Sequence, residues 1–292
     1  MLLGIHVSKT NDILGHKATD DISDAIERDS KQLGINCAQI FTHGPQGHAA
    51  VKIDYDLLIK KTADINLTVH SSYPTIGIWK VKQSNINEFN SQRAINSIRA
   101  QLLACKKAHA WGLVLHISKI LPDEAADTIR ALKPMIKKIG VKLVLEMVSS
   151  KADENKTYET PEKINRLTEL LGPNENWWGW CVDTAHLWGA GVNIQTYDNM
   201  KSWLDRIKHK EKILMFHLNG SSAVRASGQD KHEIAFGAKD DIWHGIDPQN
   251  SGVRAVVEYA NKYELPIICE INRGTVEDYI MSIEKIKELG SQ

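Results

Sequence analysis

The residues best suited to chemistry in this sequence are closely spaced histidines and aspartates in its second half. They are Asp183 and His186 in VDTAHLW, His217 in FHLN, and Asp230 with His232 in GQDKHE. Borderline-soft divalent metals such as zinc bind imidazole nitrogens and carboxylate oxygens. DTAH and DKH are weak signals alone. They favour a metal site if other segments of the chain supply further ligands.

Eight short apolar runs must position these residues, and they alternate with stretches of helical spacing. The runs are LLGIHVS (2–8), INCAQIF (35–41), NLTVHSS (66–72), GLVLHIS (112–118), KLVLEMV (142–148), WGWCVDT (178–184), ILMFHLN (213–219) and PIICEIN (266–272). Apolar strands alternating with helices are typical of parallel β-structure buried on both faces. The sequence therefore predicts an α/β protein with a closed (β/α)8 TIM barrel, and an open doubly wound sheet is the alternative.

Periodic apolar stripes and capping residues predict helices between the runs. One stripe comprises Ile95, Ile98, Leu102 and Cys105, and another comprises Val253, Val256, Val257 and Ala260. Both have the spacing of an amphipathic helix with one buried face. Thr160 and Pro161 predict the start of a helix that Gly172 ends, and Thr275 with Asp278 predicts the start of the last helix.

Composition restricts the class of protein more than its partners. A chain of 292 residues with 42% hydrophobic content could form one barrel or two smaller domains. No low-complexity or Gly/Ser linker interrupts it, so we predict one domain over residues 1–292. Thirty-six basic and thirty-six acidic residues neither favour nor exclude a polyanionic partner. The four scattered cysteines predict reduced packing residues, and no segment resembles a signal peptide or membrane span. We expect an intracellular protein, cytoplasmic or nuclear, with no membrane partner.

The barrel prediction can be examined further because active groups in TIM barrels lie at the carboxyl ends of the strands. Those ends and the loop after the seventh strand carry nine candidates: His70, His116, Glu146, Asp183, His186, His217, Asp230, His232 and Glu270. A single histidine or carboxylate there is usually a structural or solvated group. Nine together would leave many unpaired buried charges without metals, which favours a metal centre. His6 is interpreted as support for these ligands or as a core histidine.

These residues resemble the endonuclease IV family of apurinic/apyrimidinic endonucleases, which are zinc-dependent (β/α)8 barrels. The resemblance covers nearly the whole chain: GIHVS, QIFTHGPQ, VHSSYP, VLHIS, LVLEM, CVDTAHLWGAG, FHLNGSSAVRASGQDKHEIAFG and IICEIN. It implies three zinc ions, with manganese as an alternative at some sites. The implied ligand sets are His70, His116 and Glu146 for the first ion; Glu146, Asp183, His217 and Glu270 for the second; and His186, Asp230 and His232 for the third.

The sequence departs from the family pattern outside these ligands. The family's HLNDS is HLNGS here, with Gly220 in the acidic position, and DTCH is DTAH, with Ala185. MVSSKADENK replaces the Gly-rich loop that usually follows the fifth-strand glutamate. The glycine pair of IGxG is reduced to Gly237, with Lys239 in the second place. These differences concern loop shape and DNA contacts rather than the metal ligands.

The resemblance implies a DNA repair enzyme that hydrolyses the phosphodiester 5′ to an abasic site in duplex DNA and leaves a 3′-hydroxyl. Clustered metals can activate water and stabilise charge on phosphoryl oxygens, and Glu146 and Glu270 are the catalytic carboxylates by this interpretation. Tyr73 and Pro74 could form a wedge in the gap left by the missing base, although packing at the rim is an equal alternative for Tyr73. Gln46 stands where some family members have an arginine, in a loop that enters the DNA minor groove in the family. We expect a monomer, with 3′-end cleaning or exonuclease action as a side activity.

Two other functions fit parts of the same pattern. Sugar isomerases and epimerases use this type of barrel with fewer metal ligands and lack the third trio, so His186, Asp230 and His232 argue against them. A non-catalytic scaffold that binds metal or DNA would keep the ligands without turnover. Activity on a ketose, or a complete ligand set without incision, would distinguish these alternatives.

Overall fold

Eight parallel strands form a closed barrel in the computed structural model, which describes residues 1–8, 21–117, 119–151, 157–237, 239–270 and 275–291. The barrel strands are β1 (Leu2–His6), β2 (Cys37–Phe41), β3 (Asn66–His70), β4 (Gly112–Ile117), β5 (Lys142–Met147), β6 (Trp178–Asp183), β7 (Ile213–His217) and β10 (Pro266–Cys269). Hydrogen bonding connects them in the order β1-β10-β7-β6-β5-β4-β3-β2, and β2 closes on β1. The predicted TIM barrel is confirmed, and the open doubly wound sheet is excluded.

Helices follow the strands along the outside of the barrel. They are α1 (Ile22–Leu33), α2 (Tyr55–Lys61), α3 (Phe89–Lys107), α4 (Pro122–Ile139), α5 (Pro161–Leu171), α6 (Thr184–Gly189), α7 (Tyr197–Asp205), α8 (Gly252–Tyr263) and α9 (Val276–Gly290). Short 3-10 helices cover Tyr73–Lys80, Gln83–Asn85, Lys210–Lys212 and Pro248–Asn250. None of the helices within the described ranges is long and apolar enough to cross a membrane.

The capping signals read from the sequence act as predicted. Thr160 is the N-cap of α5, Pro161 stands in its first turn, and Gly172 is its C-cap. Thr275 and Asp278 form a capping box at the start of α9, in which each side chain accepts the backbone N–H of the other. Such reciprocal bonds satisfy two of the unpaired N–H groups at a helix start.

Two apolar layers hold the barrel together. Alternate strand residues point outward and pack against the helices, where both predicted helical stripes, on α3 and α8, are buried. The inward residues form a separate cluster inside the barrel, made of Cys37, Val114, Val144, Cys181, Met215 and Ile268. All four cysteines are free and buried, in agreement with the predicted packing role. The inner cluster fills the barrel below its carboxyl end, so polar residues are concentrated at that end.

The strands end slightly earlier than the apolar runs predict. β3 ends at His70, two residues before the end of its run, and β7 ends at His217. Ser118, Ile271 and Asn272, which the predicted runs include, lie outside the described residues. His70, Asp183 and His217 are the last residues of their strands and still pair across the barrel, so these candidate ligands occupy the boundary between strand and loop.

Two small elements at the carboxyl end were not predicted. The helix α6 begins directly after β6, and Asp183 is its N-cap because Asp183 Oδ1 accepts the His186 N–H at 2.9 Å. The strands β8 (Gly220–Ser221) and β9 (His232–Glu233) form an antiparallel hairpin that pairs Ser221 with His232. These elements bring His186 and His232 back over the barrel mouth.

Candidate metal centre

A cavity of about 130 Å³ opens at the carboxyl end of the barrel. Its lining residues are His6, Phe41, His70, Tyr73, His116, His186, Asp230, His232 and Glu270. The other predicted ligands, Glu146, Asp183 and His217, are fully buried beneath it. All nine candidates from the sequence therefore lie in one region, arranged in overlapping groups.

The first group contains His70, His116 and Glu146, whose ligand atoms all lie within 4.8 Å of one another. The Nε2 atoms of both histidines are 3.2 Å from Glu146 Oε2. His70 Nδ1 donates to the backbone carbonyl of Ser71 at 2.7 Å. A carbonyl can only accept, so Nδ1 carries the proton and the Nε2 lone pair is available to a metal.

The second group contains Glu146, Asp183, His217 and Glu270. His217 Nδ1 lies 3.1 Å from Glu146 Oε1 and 3.2 Å from Glu270 Oε2. Glu146 thus directs Oε2 to the first group and Oε1 to the second, which is the arrangement of a bridging carboxylate. Cys181 is also close to Glu146 and His217, but burial raises the pKa of its thiol to about 12. A neutral thiol is a poor metal ligand.

The third group involves Asp183, His186, Asp230 and His232. Asp183, His186 and His232 meet the same 4.8 Å limit. Asp230 Oδ1 lies 3.3 Å from His186 Nε2 and 2.9 Å from His232 Nε2. His186 Nδ1 donates to the backbone carbonyl of Met147 at 2.7 Å, which leaves Nε2 facing Asp230. The short helix and the hairpin therefore supply two imidazoles to one carboxylate.

Ion pairs between carboxylates and imidazoles connect the residues of the site. Burial opposes ionisation of Glu146, but the charges of His217 and His116 outweigh it and keep the pKa of that carboxyl well below its usual value. Burial likewise lowers the pKa of His232, yet Asp183 and Asp230 raise it to about 9. The pKa of Asp230 is lowered by His186 and His232 against the effect of burial. The donor set thus has the charge and chemistry that divalent cations bind.

Two amides that the sequence analysis missed connect the ligands. Asn219 Nδ2 donates to Asp183 Oδ2 at 2.7 Å, and Asn219 Oδ1 accepts the Glu270 N–H at 2.7 Å. Gln39, on β2, contacts Glu270 and His217. The available signals were a glutamine inside the apolar run INCAQIF and an asparagine two residues after His217. Each is a weak signal on its own.

Of the predicted DNA-contact residues, Tyr73 lines the cavity and Pro74 and Gln46 adjoin Tyr73 and Pro45, and none of the three belongs to a ligand group. Tyr73 begins a 3-10 helix, is 43% exposed, and has its ring 5.7 Å from the His116 ring. Pro74 follows it in the first turn. Gln46 is exposed in a turn next to Pro45, whose carbonyl accepts the Tyr73 N–H at 2.9 Å. The three residues form one edge of the rim.

Comparison with known proteins places this geometry in context. The sequence profile of the xylose isomerase-like TIM barrel family matches residues 28–289. A probable AP endonuclease of African swine fever virus (isolate Tick/South Africa/Pretoriuskop Pr4/1996) is 31% identical over 260 residues, covering 84% of this chain and 82% of the viral protein. A probable endonuclease 4 of Mycoplasmopsis pulmonis (strain UAB CTIP) is 29% identical over 245 residues, covering 79% and 81%. The crystal structure of AsfvAP:AG has a TM-score of 0.80 at 27% identity, covering 99% and 98% of the two chains.

Proposed function

The chain belongs to the endonuclease IV family of AP endonucleases, within the xylose isomerase-like TIM barrels, and from this premise we propose that it is a metal-dependent DNA repair endonuclease. The proposed reaction is hydrolysis of the phosphodiester 5′ to an abasic site in duplex DNA, leaving a 3′-hydroxyl. The observation that carries the proposal is the overlap of three ligand groups on Glu146 and Asp183 at one cavity.

We assign three zinc ions to this centre, with manganese as an alternative at some sites. His70, His116 and Glu146 would hold the first; Glu146, Asp183, His217 and Glu270 the second; and His186, Asp230 and His232 the third. The tautomers of His70 and His186 support this assignment. In each ring the Nδ1–H donates to a backbone carbonyl, which leaves Nε2 as the ligand atom.

The bound ions would lower the pKa of water and stabilise negative charge on phosphoryl oxygens. Glu146 is fully buried and makes contacts through both carboxylate oxygens, so its role is to fix the spacing of the first two ligand groups. Glu270 lines the cavity and would orient the attacking water and accept its proton. No protein nucleophile is required, so we propose no covalent intermediate.

Recognition of the lesion would involve the rim. Moving an abasic sugar out of the helix costs least where the base is already missing. Tyr73 and Pro74 would then enter the gap, and Gln46 would approach the minor groove from the neighbouring turn. The exposure of Tyr73 and the backbone bond from its N–H to the Pro45 carbonyl support this arrangement.

Sugar isomerisation or epimerisation remains the alternative reaction for a barrel of this type. The cluster of Asp183, His186, Asp230 and His232 argues against this alternative, because a sugar isomerase or epimerase that uses the first two ligand groups would not need it. A non-catalytic scaffold would have the same ligand geometry and differs only in lacking turnover. Side activities such as 3′-end cleaning follow from the same hydrolytic chemistry.

The proposal can be tested with a duplex oligonucleotide that carries one abasic site. Metal-loaded protein should cut this duplex and leave an undamaged duplex of the same sequence intact, and chelation should abolish cutting until metal is restored. His232→Ala should empty mainly the third site, whereas Glu146→Gln should disturb two. Epimerisation of a ketose without incision would favour the sugar enzyme. A full metal content without incision would favour the scaffold.

A further inference from the structure

Gln39 is a fully buried polar residue inside the barrel, directly below the second ligand group. It stands on β2 beside His6 of β1 in the strand register. Its amide Nε2 lies 2.6 Å from Glu270 Oε1 and 3.0 Å from His6 Nδ1. Its Oε1 lies 2.9 Å from His217 Nε2. Both ends of the amide are therefore engaged with residues of the site.

Only one orientation of this amide satisfies its partners. Glu270 belongs to the second ligand group, and an ionised carboxylate can only accept hydrogen bonds, so its Oε1 needs a donor at 2.6 Å. The NH2 group of Gln39 must then face Glu270, and its second hydrogen is directed at His6 Nδ1. The carbonyl end faces His217, where Nε2 must donate. A flipped amide would place its oxygen against the carboxylate oxygen of Glu270, which cannot donate.

This orientation determines which nitrogen of His217 is available as a ligand. Because Nε2 carries the hydrogen that Gln39 accepts, the lone pair of His217 is left on Nδ1. That atom lies 3.1 Å from Glu146 Oε1 and 3.2 Å from Glu270 Oε2, within the second group. The backbone carbonyls that fix His70 and His186 have no equivalent here among the described contacts of His217. A side chain from a neighbouring strand fulfils that role instead.

We propose that Gln39 is a positioning residue of the metal centre: it selects Nδ1 of His217 as the metal-binding atom and fixes the carboxylate of Glu270. The inference rests on the proposed function, in which both residues hold the second ion. Gln39 lies beneath the ligands and does not line the cavity. It acts through His217 and Glu270, so its loss changes metal retention and turnover rather than binding of DNA.

Gln39→Met and Gln39→Glu test this role. Methionine has a similar length and removes both hydrogen bonds. Glutamate keeps an acceptor for His217 but replaces the donor facing Glu270 with a negative oxygen. The matched control is Thr68→Val, since Thr68 is a buried neighbour of Gln39 in the register and its hydroxyl donates to the Ala38 carbonyl rather than to a candidate ligand. Loss of a residue that orients a metal ligand typically lowers metal affinity or activity about tenfold to a hundredfold.

Three measurements are made on the zinc-loaded proteins: zinc retained per chain against a graded chelator, kcat and KM on abasic duplex, and the His217 tautomer by long-range ¹H–¹⁵N correlation. Both Gln39 variants should release one zinc at lower chelator concentration than the parent and Thr68→Val, and kcat should fall with KM nearly unchanged. The parent should show His217 protonated at Nε2. If Gln39→Met does not fold, Gln39→Glu makes the same test.

The outcomes separate this inference from the proposed function. If a folded Gln39 variant has the same zinc retention, kcat and His217 tautomer as the parent, the positioning role is overturned even if the parent cuts abasic DNA. A parent protonated at Nδ1 of His217 would overturn it as well. Conversely, a parent that binds zinc through His217 Nδ1 but never cuts abasic DNA would support the role of Gln39 and reject the proposed reaction.

Discussion

At the scale of single residues, the site is defined by which atom of each histidine is free. Backbone carbonyls fix His70 and His186, and both rings direct Nε2 toward a carboxylate. His217 is the exception, with Nδ1 toward the carboxylates. Residue type and chain position were sufficient to predict that these nine residues lie together. The choice of ligand atom was not predictable, because it depends on acceptors from loops and from a distant strand.

Metal binding should release protons at neutral pH. Asp183 and Asp230 raise the pKa of His232 to about 9, and the pKa values of His186 and His217 are also well above their usual value. His232 is therefore protonated at pH 7.5 when no metal is bound, whereas a histidine that binds a metal must be neutral. Titration of zinc into chelated protein in buffers of different ionisation enthalpy should give different apparent enthalpies. A slope of zero against buffer enthalpy would contradict this prediction.

The same shifts set the pH dependence of the metal-free fold. The pKa of His232 is raised from its ordinary value of 6.5 to about 9. The ion pairs of His232 therefore stabilise the protein fully below pH 6.5, and this stabilisation is lost as the pH rises through about 9. The lowered pKa of Asp230 means that its contribution is present above its ordinary value of 3.8 and is lost as pH falls. Urea unfolding of chelated protein should therefore show a decline between pH 7 and 9 that His232→Ala reduces.

Tyr73 is expected to affect recognition and not metal binding. Tyr73→Ala should weaken binding to abasic duplex about tenfold to a hundredfold, since one stacked base is worth about 1–3 kcal/mol. Metal content should be unchanged, whereas His70→Ala should abolish cutting through loss of a ligand. Ile76→Ala is the control, because Ile76 is similarly exposed on the same 3-10 helix but does not line the cavity. Affinity should be measured across a salt series, because phosphate contacts weaken as salt increases.

A Tyr73→Ala protein that binds and cuts abasic duplex like its parent would reject the wedge and leave Tyr73 as a packing residue. The metal assignment would not be affected by that result.

At the scale of elements, the carboxyl ends of parallel strands were predictable and the small rim elements were not. The apolar runs predicted all eight strands. The candidate ligands at the strand ends follow because active groups of TIM barrels lie at the carboxyl ends of the strands. The helix α6 has six residues, and β8 and β9 have two each, which is too short for a periodic signal. Their positions depend on tertiary contacts, such as the bond from His186 Nδ1 to the Met147 carbonyl.

Gly220 and Asp241 show how one departure from the family pattern is accommodated. Asp241 is buried and accepts backbone N–H groups from Ser221, Phe236 and Trp243 at 3.2, 2.9 and 3.2 Å. A Cβ at Gly220 would lie 2.1 Å from Asp241 Oδ1. The carboxylate of Asp241 therefore occupies the space beside Gly220, and it connects β8 to the loop that follows the β8–β9 hairpin.

Gly220→Ala should displace this carboxylate and leave buried N–H groups without an acceptor. Each such group costs about 1–3 kcal/mol, so the free energy of unfolding should fall by a similar amount. Because β8 pairs with β9, which carries His232, zinc should also be lost from the third site. Gly77→Ala is the control, since its Cβ would meet nothing within 4 Å. If Gly220→Ala has the same free energy of unfolding in urea and the same zinc content as the parent, the loop adapts to the added methyl group without cost.

At the scale of the whole molecule, the closed barrel brings candidate ligands from six strands together at its carboxyl end. The inner apolar cluster fills the space below these charged groups. Their concentration is costly without a cation, because buried carboxylates and imidazoles lose solvation. The order of the strands and their shared direction are enough to predict this convergence. Gln39 and Asn219 were missed because isolated amides in apolar segments carry no periodic signal.

Removal of metal should therefore weaken the fold as a whole. A ligand present at 100 times its dissociation constant stabilises the native state by about 2.7 kcal/mol. Chelation should lower the Tm, and zinc should restore it. Glu146→Gln should show a smaller response to chelation than the parent, because it already disturbs two ligand groups. An identical Tm with and without chelator, in protein shown to contain zinc beforehand, would be inconsistent with this account.

The most direct measurement of the central claim is the chemical identity of the ends produced at an abasic site. A labelled duplex with one abasic site is incubated with the zinc-loaded protein, and the products are offered to a DNA polymerase and examined by mass spectrometry. Hydrolysis 5′ to the lesion predicts a 3′-hydroxyl that the polymerase extends directly, and no adduct after borohydride treatment. An unsaturated aldehyde end, or a borohydride-trapped adduct formed through a lysine Schiff base, would contradict it.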